Sequence, residues 1–405
     1  MRLRSPDQLA PRQTRPEGTD AVRRRILVPF GTRPEVIKLA PVVRALRSAG
    51  HDVTTVDTGQ HTSAVMAADV QRDLGLRPDV RLRLPDGPGR TGRLLSGAVR
   101  TLAEHPVDVV LTLGDTHTVP AYALASRTAG IPFAHLEAGL RSFNLRSVEE
   151  VNRRVAGAAA QLHFAPTERA ASFLAHEGIP PERVFVVGNP VIDALCERGV
   201  ARVAPSERVG VLITAHRASN VDDPARLARL IGLVAALARE VGPVLFPVHP
   251  RTAKRLREHG LSDRLADLPG VTLRDPLPYP DLLTALASAR VVVTDSGGLQ
   301  EEAAYFGVPV VVLRRSTPRW EGVEQNAAVL TGITSDDEAS TAAEAARRLA
   351  EPVELERIAG LPCPYGDGTT GPQVAAILAD PATTPLLELT EPDFTDGTRP
   401  WEVVR

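Results

Sequence analysis

Short apolar runs recur along the chain, each separated from the next by a segment with helical spacing, and this alternation restricts the fold more than any other feature. In the first half the runs fall at 25–30, 52–57, 107–113, 132–136, 161–164 and 184–187. The series restarts at 209–214, 243–248, 271–274, 290–294 and 308–313. Strands this apolar, separated by helices such as 36–48, 224–240 and 280–288, belong to parallel sheets covered on both faces. Two such series predict an α/β protein of two Rossmann-like, doubly wound domains facing a cleft. A length of 405 residues suffices for two cores of ordinary size. The turn Gly188-Asn189-Pro190 divides residues 25–188 from a second domain at 189–368. A helix at 369–380 crosses back to the first domain, and residues 1–24 and 381–405 read as tails, the first of them disordered.

Composition removes several function classes. A net charge of −2 offers no electrostatic footprint for nucleic acid or an anionic membrane. No apolar run reaches the roughly 18 residues needed to span a bilayer. The Arg-, Pro- and Asp-rich start lacks the apolar stretch of a signal peptide. The two cysteines, Cys196 and Cys363, stand in no metal spacing and fit a reducing cytoplasm. These features predict a cytoplasmic protein with no membrane or nucleic-acid partner.

In doubly wound folds the ligand lies beyond the carboxyl ends of the strands. Gly31-Thr32-Arg33-Pro34-Glu35 follows the first strand, where a helix N-terminus and an arginine favour an anion. Gly59-Gln60-His61, Gly114-Asp115-Thr116-His117 and Glu137-Ala138-Gly139-Leu140-Arg141 follow three others. The second series contributes His216-Arg217, His249-Pro250 and Asp295-Ser296-Gly297-Gly298. The two glycines of that last turn admit a phosphate to the backbone, and Glu302, one helical turn on, can accept from both hydroxyls of a ribose. Asp115, Glu137 and Glu149 supply carboxylates for acid and base work, although each also suits a helix cap or a solvated helix start. His216 can donate to a phosphate or act as an acid, and equally suits a strand-end turn. Neither a Walker A loop nor a strand–GxGxxG fingerprint is present, against a P-loop ATPase or an NAD enzyme. No Cys, His and Asp grouping has metal-ligand spacing, so no metal is expected.

The ordered set of motifs resembles the non-hydrolysing UDP-N-acetylglucosamine 2-epimerases. It comprises FGTRPEVIKLAP at 30–41, TGQH at 58–61, GDT at 114–116, HLEAGLR at 135–141 and EEVNR at 149–153. It continues with HFAPTE at 163–168, GNPVI at 188–192, TAHR at 214–217, PVHP at 247–250, DSGGLQEE at 295–302 and YGDG at 365–368. The resemblance implies a GT-B-type fold with UDP in the cleft. It implies interconversion of UDP-GlcNAc and UDP-ManNAc through 2-acetamidoglucal, with no cofactor and no metal. It also implies a UDP-sugar partner and a homodimer.

Carried over position by position, Asp115, Glu137 and Glu149 handle protons as a set, and His216 sits near the diphosphate. Arg33, Lys38, Arg141, Leu277, Ser296, Gly297, Gly298 and Glu302 hold the nucleotide sugar. Gln60, His61, Arg217 and His249 match parts of a second pocket through which bacterial members are activated by UDP-GlcNAc, although Thr62-Ser63 replaces the usual charged pair. Val148 stands where a proline is usual, His117 where a small residue is, and Leu282 where a phenylalanine often stacks on uracil. Ala218-Ser219-Asn220 and Trp320 are further departures. A hydrolysing 2-epimerase and a GT-B glycosyltransferase with a UDP-sugar donor are the alternative readings.

Overall fold

A computed structural model describes residues 21–60, 74–82, 84, 87, 89–391 and 395. Its first sheet is built from β1 (Arg25–Phe30), β2 (Asp52–Asp57), β3 (Val80–Arg81), β4 (Val109–Leu113), β5 (Phe133–Leu136), β6 (Leu162–Ala165) and β7 (Val184–Val186). All neighbours pair in parallel, in the order β3-β2-β1-β4-β5-β6-β7. The second sheet contains β8 (Val211–Thr214), β9 (Val244–Pro247), β10 (Val271–Arg274), β11 (Val291–Thr294), β12 (Val310–Val312) and β13 (Ala328–Leu330). Its order is β10-β9-β8-β11-β12-β13, again parallel. These are the two Rossmann-like units expected from the alternation.

In both sheets the strand order reverses at an inner pair, β1/β4 in one and β8/β11 in the other. Such switch points open a crevice beyond the strand ends. The residues that emerge there are Gly31, Gly114, Ala215 and Asp295, each opening one of the strand-end polar motifs or standing beside it.

Side-chain alternation explains why the strands are apolar throughout. Ile26, Val28 and Phe30 join the core beneath helix Arg33–Ser48, whereas Leu27 joins a separate core with Leu102, Tyr122 and Phe133 on the other face. The first of these cores continues into the second domain through Val191, Leu283, Leu299 and Ala303. Helix Pro190–Arg198 carries that continuity, packing on helices Arg33–Ser48, Gly298–Phe306 and Thr370–Ala379. Asn189 caps it, accepting from the Val191 N–H at 3.0 Å.

The C-terminal helix Thr370–Ala379 returns to the first domain. A Cβ at Gly371 would lie 3.1 Å from the Pro41 carbonyl oxygen, so glycine lets the two helices touch. The Asp193 carboxylate accepts the Gly371 N–H at 2.7 Å and anchors the helix N-terminus.

The packed structure extends further at both ends than the sequence suggests. Arg24 is buried and donates to the Leu378 carbonyl at 2.7 Å and to Thr384 Oγ1 at 2.8 Å. Residues 381–387, expected to belong to a tail, instead form the turn Pro381–Thr383 and helix Thr384–Leu387, with Leu387 buried. Two edge strands, β3 and β13, are not legible in the sequence because two or three residues carry no period.

Candidate active site in the interdomain cleft

The cleft encloses about 430 Å³ between the two switch points, within the range of small-molecule sites. Arg33 enters it from the first helical position after β1. The turn that presents Arg33 is held by Glu35, whose carboxylate accepts from the Gly31 N–H (2.9 Å), the Thr32 N–H (2.8 Å) and Thr116 Oγ1 (2.8 Å). Glu35 thereby ties the β1 turn to the turn carrying Asp115. Burial pushes its carboxyl up to about 7 despite those donors.

The three candidate proton-handling groups all line the cleft. Asp115 pairs with Arg153, and its backbone carbonyl accepts from Asn152 Nδ2 at 2.8 Å. Glu149, at the start of helix Val148–Ala159, accepts from Ser147 Oγ. Burial alone would raise the Glu149 carboxyl, but that bond and the charges of Arg217 and Arg153 hold it below the usual range. Glu137 is buried and adopts φ +63°, a left-handed backbone that costs a non-glycine residue of order 1–3 kcal/mol and tends to persist where function requires it. Its Oε1 receives Lys38 Nζ and, at 2.7 Å, Asn189 Nδ2. Burial pushes Glu137 up, yet Lys38, Arg319 and the Asn189 bond outweigh it and keep the carboxyl low.

The facing wall is cationic and rich in donors. Ser296, Gly297 and Gly298 line the cleft at the N-terminus of helix Gly298–Phe306, whose first turn leaves backbone N–H groups without intrahelical partners, although the Ser296 N–H itself donates to Thr294 Oγ1 at 2.9 Å. A Cβ at Gly297 would approach Arg319 Nη1 at 3.0 Å, so a larger residue here would crowd the Arg319 guanidinium. Asp295 is buried behind the turn and lies 3.0 Å from His216 Nδ1; it also accepts from the Arg217 N–H (2.9 Å) and Asn220 Nδ2 (3.1 Å). This bonding orients the His216 ring toward the cleft, beside His249 with ring centroids 5.2 Å apart. Burial and the charge of His216 push the His249 imidazole down. Glu302 accepts from the Tyr279 hydroxyl at 2.8 Å, and burial pushes its carboxyl up to about 7.

Of the residues singled out from sequence, Arg33, Lys38, Asp115, Glu137, Glu149, His216, Arg217, His249, Leu277, Ser296, Gly297, Gly298 and Glu302 line one cleft. Arg141 does not. Its guanidinium is fully buried and makes a bidentate pair with Glu177 at 2.7 and 2.6 Å, so it supports the loop rather than facing a ligand. Lys38 reaches the cleft wall with its ammonium committed to Glu137 and Glu301, which makes it a poor phosphate ligand. Gln60 lies away from the cleft lining and accepts from Thr118 Oγ1, and His61 lies outside the described residues.

Two arginines were missed. Arg314 and Arg319 both line the cleft, just beyond β12. The rule of strand carboxyl ends, applied to that strand as to the others, would have found Arg314. Its Nη1 is buried without a protein partner, and burial, reinforced by Arg217, Arg319 and Arg153, pushes the guanidinium down to about 9. A cation with a buried, unpartnered Nη1, lining the same cleft as a helix N-terminus, fits an anionic ligand.

A family model described as UDP-N-acetylglucosamine 2-epimerase matches residues 44–379. The chain belongs to that family. Among similar proteins, the UDP-N-acetylglucosamine 2-epimerase of Methanocaldococcus jannaschii is 35% identical over 373 residues, 87% of this chain and 98% of its own length. The crystal structure of the M. jannaschii enzyme in complex with UDP-GlcNAc and UDP superposes with a TM-score of 0.76 at 34% identity, covering 87% of this chain and 99% of that one. The chain is also similar to the UDP-2,3-diacetamido-2,3-dideoxy-D-glucuronate 2-epimerase of Pseudomonas aeruginosa, 35% identical over 77% of this chain and 89% of that protein's length. The epimerase family thus accounts for the two-domain fold, and these relatives differ in the sugar they are named for.

Proposed function

We propose that this protein interconverts UDP-GlcNAc and UDP-ManNAc without hydrolysis. A carboxylate removes the C2 proton as the C1–O bond to UDP breaks, leaving 2-acetamidoglucal and UDP. A carboxyl on the other face returns a proton to C2 while a UDP oxygen rebuilds the bond at C1. The sum is an isomerisation, balanced in atoms and charge.

The observation that carries this reading is the facing arrangement of the cleft. Asp115, Glu137 and Glu149 come from one domain; His216, Arg314 and the N-terminus of helix Gly298–Phe306 come from the other. A carbon acid needs a carboxylate, and a departing diphosphate needs positive charge and preorganised donors. Arg33, Ser296, Gly297, Gly298 and His216 would hold the diphosphate, and Glu302 the ribose.

The protein would act in the cytoplasm as a homodimer. Val99, Leu124 and Val151 are about half exposed on three neighbouring helices of the first domain, with Phe143, Leu145 and Val148 in and after the adjoining loop. Exposed apolar side chains on three neighbouring helices suit burial against a second copy. Sedimentation equilibrium tests it, and a monomer at micromolar concentration would remove it.

Proton NMR of UDP-GlcNAc with the enzyme in D₂O, without NAD, metal or acceptor, tests the reaction. Loss of the C2 proton signal with UDP-ManNAc appearing supports the proposal. Free ManNAc with UDP would replace it by the hydrolysing reaction, and an unchanged C2 proton by a transferase or another UDP-sugar.

A further inference from the structure

Glu137 is one member of a four-residue ion network that joins the domains behind the cleft. Lys38, from the first domain, donates to Glu137 Oε1 and, at 2.7 Å, to Glu301 Oε2 of the second. Asn189, at the domain junction, spans the same two carboxylates, at 2.7 Å to Glu137 Oε1 and 3.1 Å to Glu301 Oε1. Arg319 Nε closes the set on Glu301 Oε1 at 2.8 Å. Two cations thus meet two carboxylates, one from each domain. Glu301 is fully buried and, unlike Lys38, Glu137 and Arg319, does not line the cleft.

We propose that Glu301 is a positioning residue that sets the base strength of Glu137 by sharing Lys38 and holding Arg319. This rests on the reading of Glu137 as a proton-handling group. A carboxylate facing two uncompensated cations in a low-dielectric site holds its charge too firmly to take a proton from carbon. With Glu301 present, Lys38 divides between two acids and Arg319 has its own partner. The remaining groups near Glu137 leave that balance intact. Asp115 is paired with Arg153, His135 on the strand that ends just before Glu137 is pushed down to about 4 by burial and is neutral, and the Tyr365 hydroxyl is neutral. Glu302, which also faces Lys38, is held by Tyr279.

The test is the pH dependence of turnover in Glu301→Gln, an isosteric change that removes the charge and keeps an acceptor for Arg319. Loss of the counter-charge lowers the Glu137 pKa, so the acid limb of kcat should move about one pH unit down. A weaker base should also lower plateau kcat by about three- to tenfold, with KM nearly unchanged. Glu301→Asp, which keeps the charge, should leave the limb in place. An unmoved limb in Glu301→Gln, or a change in KM alone, overturns the proposal. If Glu301→Gln does not fold, Arg319→Gln takes its place. Removing a cation should move the limb upward, and any other direction overturns the proposal. Glu137→Gln is run alongside: full activity there would remove the role of Glu137 itself, and this inference with it. Inactivity there, with an unmoved limb in Glu301→Gln, removes only the inference.

Discussion

The Trp320 indole Nε1–H donates to the backbone carbonyl of Arg141 at 2.8 Å, tying the second domain to the first. The same short segment adds Glu321, which accepts from Thr167 Oγ1, and Glu324, which pairs with Arg169. Arg141, expected at the ligand, therefore serves as an anchor for domain contact.

Trp320→Phe keeps an aromatic ring and removes the donor. A lost neutral hydrogen bond costs about 1 kcal/mol, which corresponds to about a fivefold loss in UDP affinity if the contact belongs to the ligand-competent closed form. Calorimetric titration with UDP measures this, and unchanged affinity would mean the contact plays no part in forming the UDP site.

Asp115→Asn and Glu137→Gln should each lower turnover by at least about 100-fold while UDP binding survives, since general acid–base groups contribute on that scale. Arg33→Ala should act the other way, weakening UDP binding more than it slows chemistry. Near-normal turnover in either carboxylate variant excludes that residue from proton handling, and unchanged UDP affinity in Arg33→Ala excludes a diphosphate contact.

Asp295 gives a pH-dependent stability with a definite sign. Burial raises its carboxyl, but the His216 bond and charge and the backbone donors prevail, and its folded pKa lies below the ordinary 3.8. Its contribution is therefore present above about pH 4 and lost as pH falls through the folded value. Asp295→Asn should destabilise the protein by about 2–3 kcal/mol at pH 7. In urea melts this deficit should shrink below about pH 4; a deficit independent of pH would assign the loss to packing.

Glu35 behaves oppositely. Its carboxyl rises from the ordinary 4.5 to about 7, so the folded chain holds a proton that the unfolded chain releases between those values. Stability declines as pH rises through that window and levels above it. Glu35→Gln does not ionise and should gain on the parent by up to about 3 kcal/mol between pH 4.5 and 7. Thermal melts of both proteins across that range would show the difference widening with pH, and parallel curves would contradict it.

Much of the site was legible because a parallel sheet exports its polar residues at strand ends. Gly31, Asp115, Glu137, His216 and Ser296 could be found by looking only at the residues just past each apolar run. Arg314 obeys the same rule, standing two residues past β12. Arg141 went the other way. It stands at a strand end beside Glu137, yet its guanidinium turns to Glu177, a residue on which no local pattern reports.

What the sequence determined by itself is the two-sheet architecture and most, but not all, of the membership of the cleft, Arg314 and Arg319 being missed and Arg141 wrongly included. Hydrophobic period and turn residues act over a few positions, and their physical consequences are local. Only the tertiary structure decided the electrostatics. Lys38 and Glu301 stand 263 positions apart in the chain, and their meeting depends on how two separately wound domains pack through helix Pro190–Arg198. Charge pairing in a buried site depends on distance and desolvation, and those exist only once both domains are folded against each other.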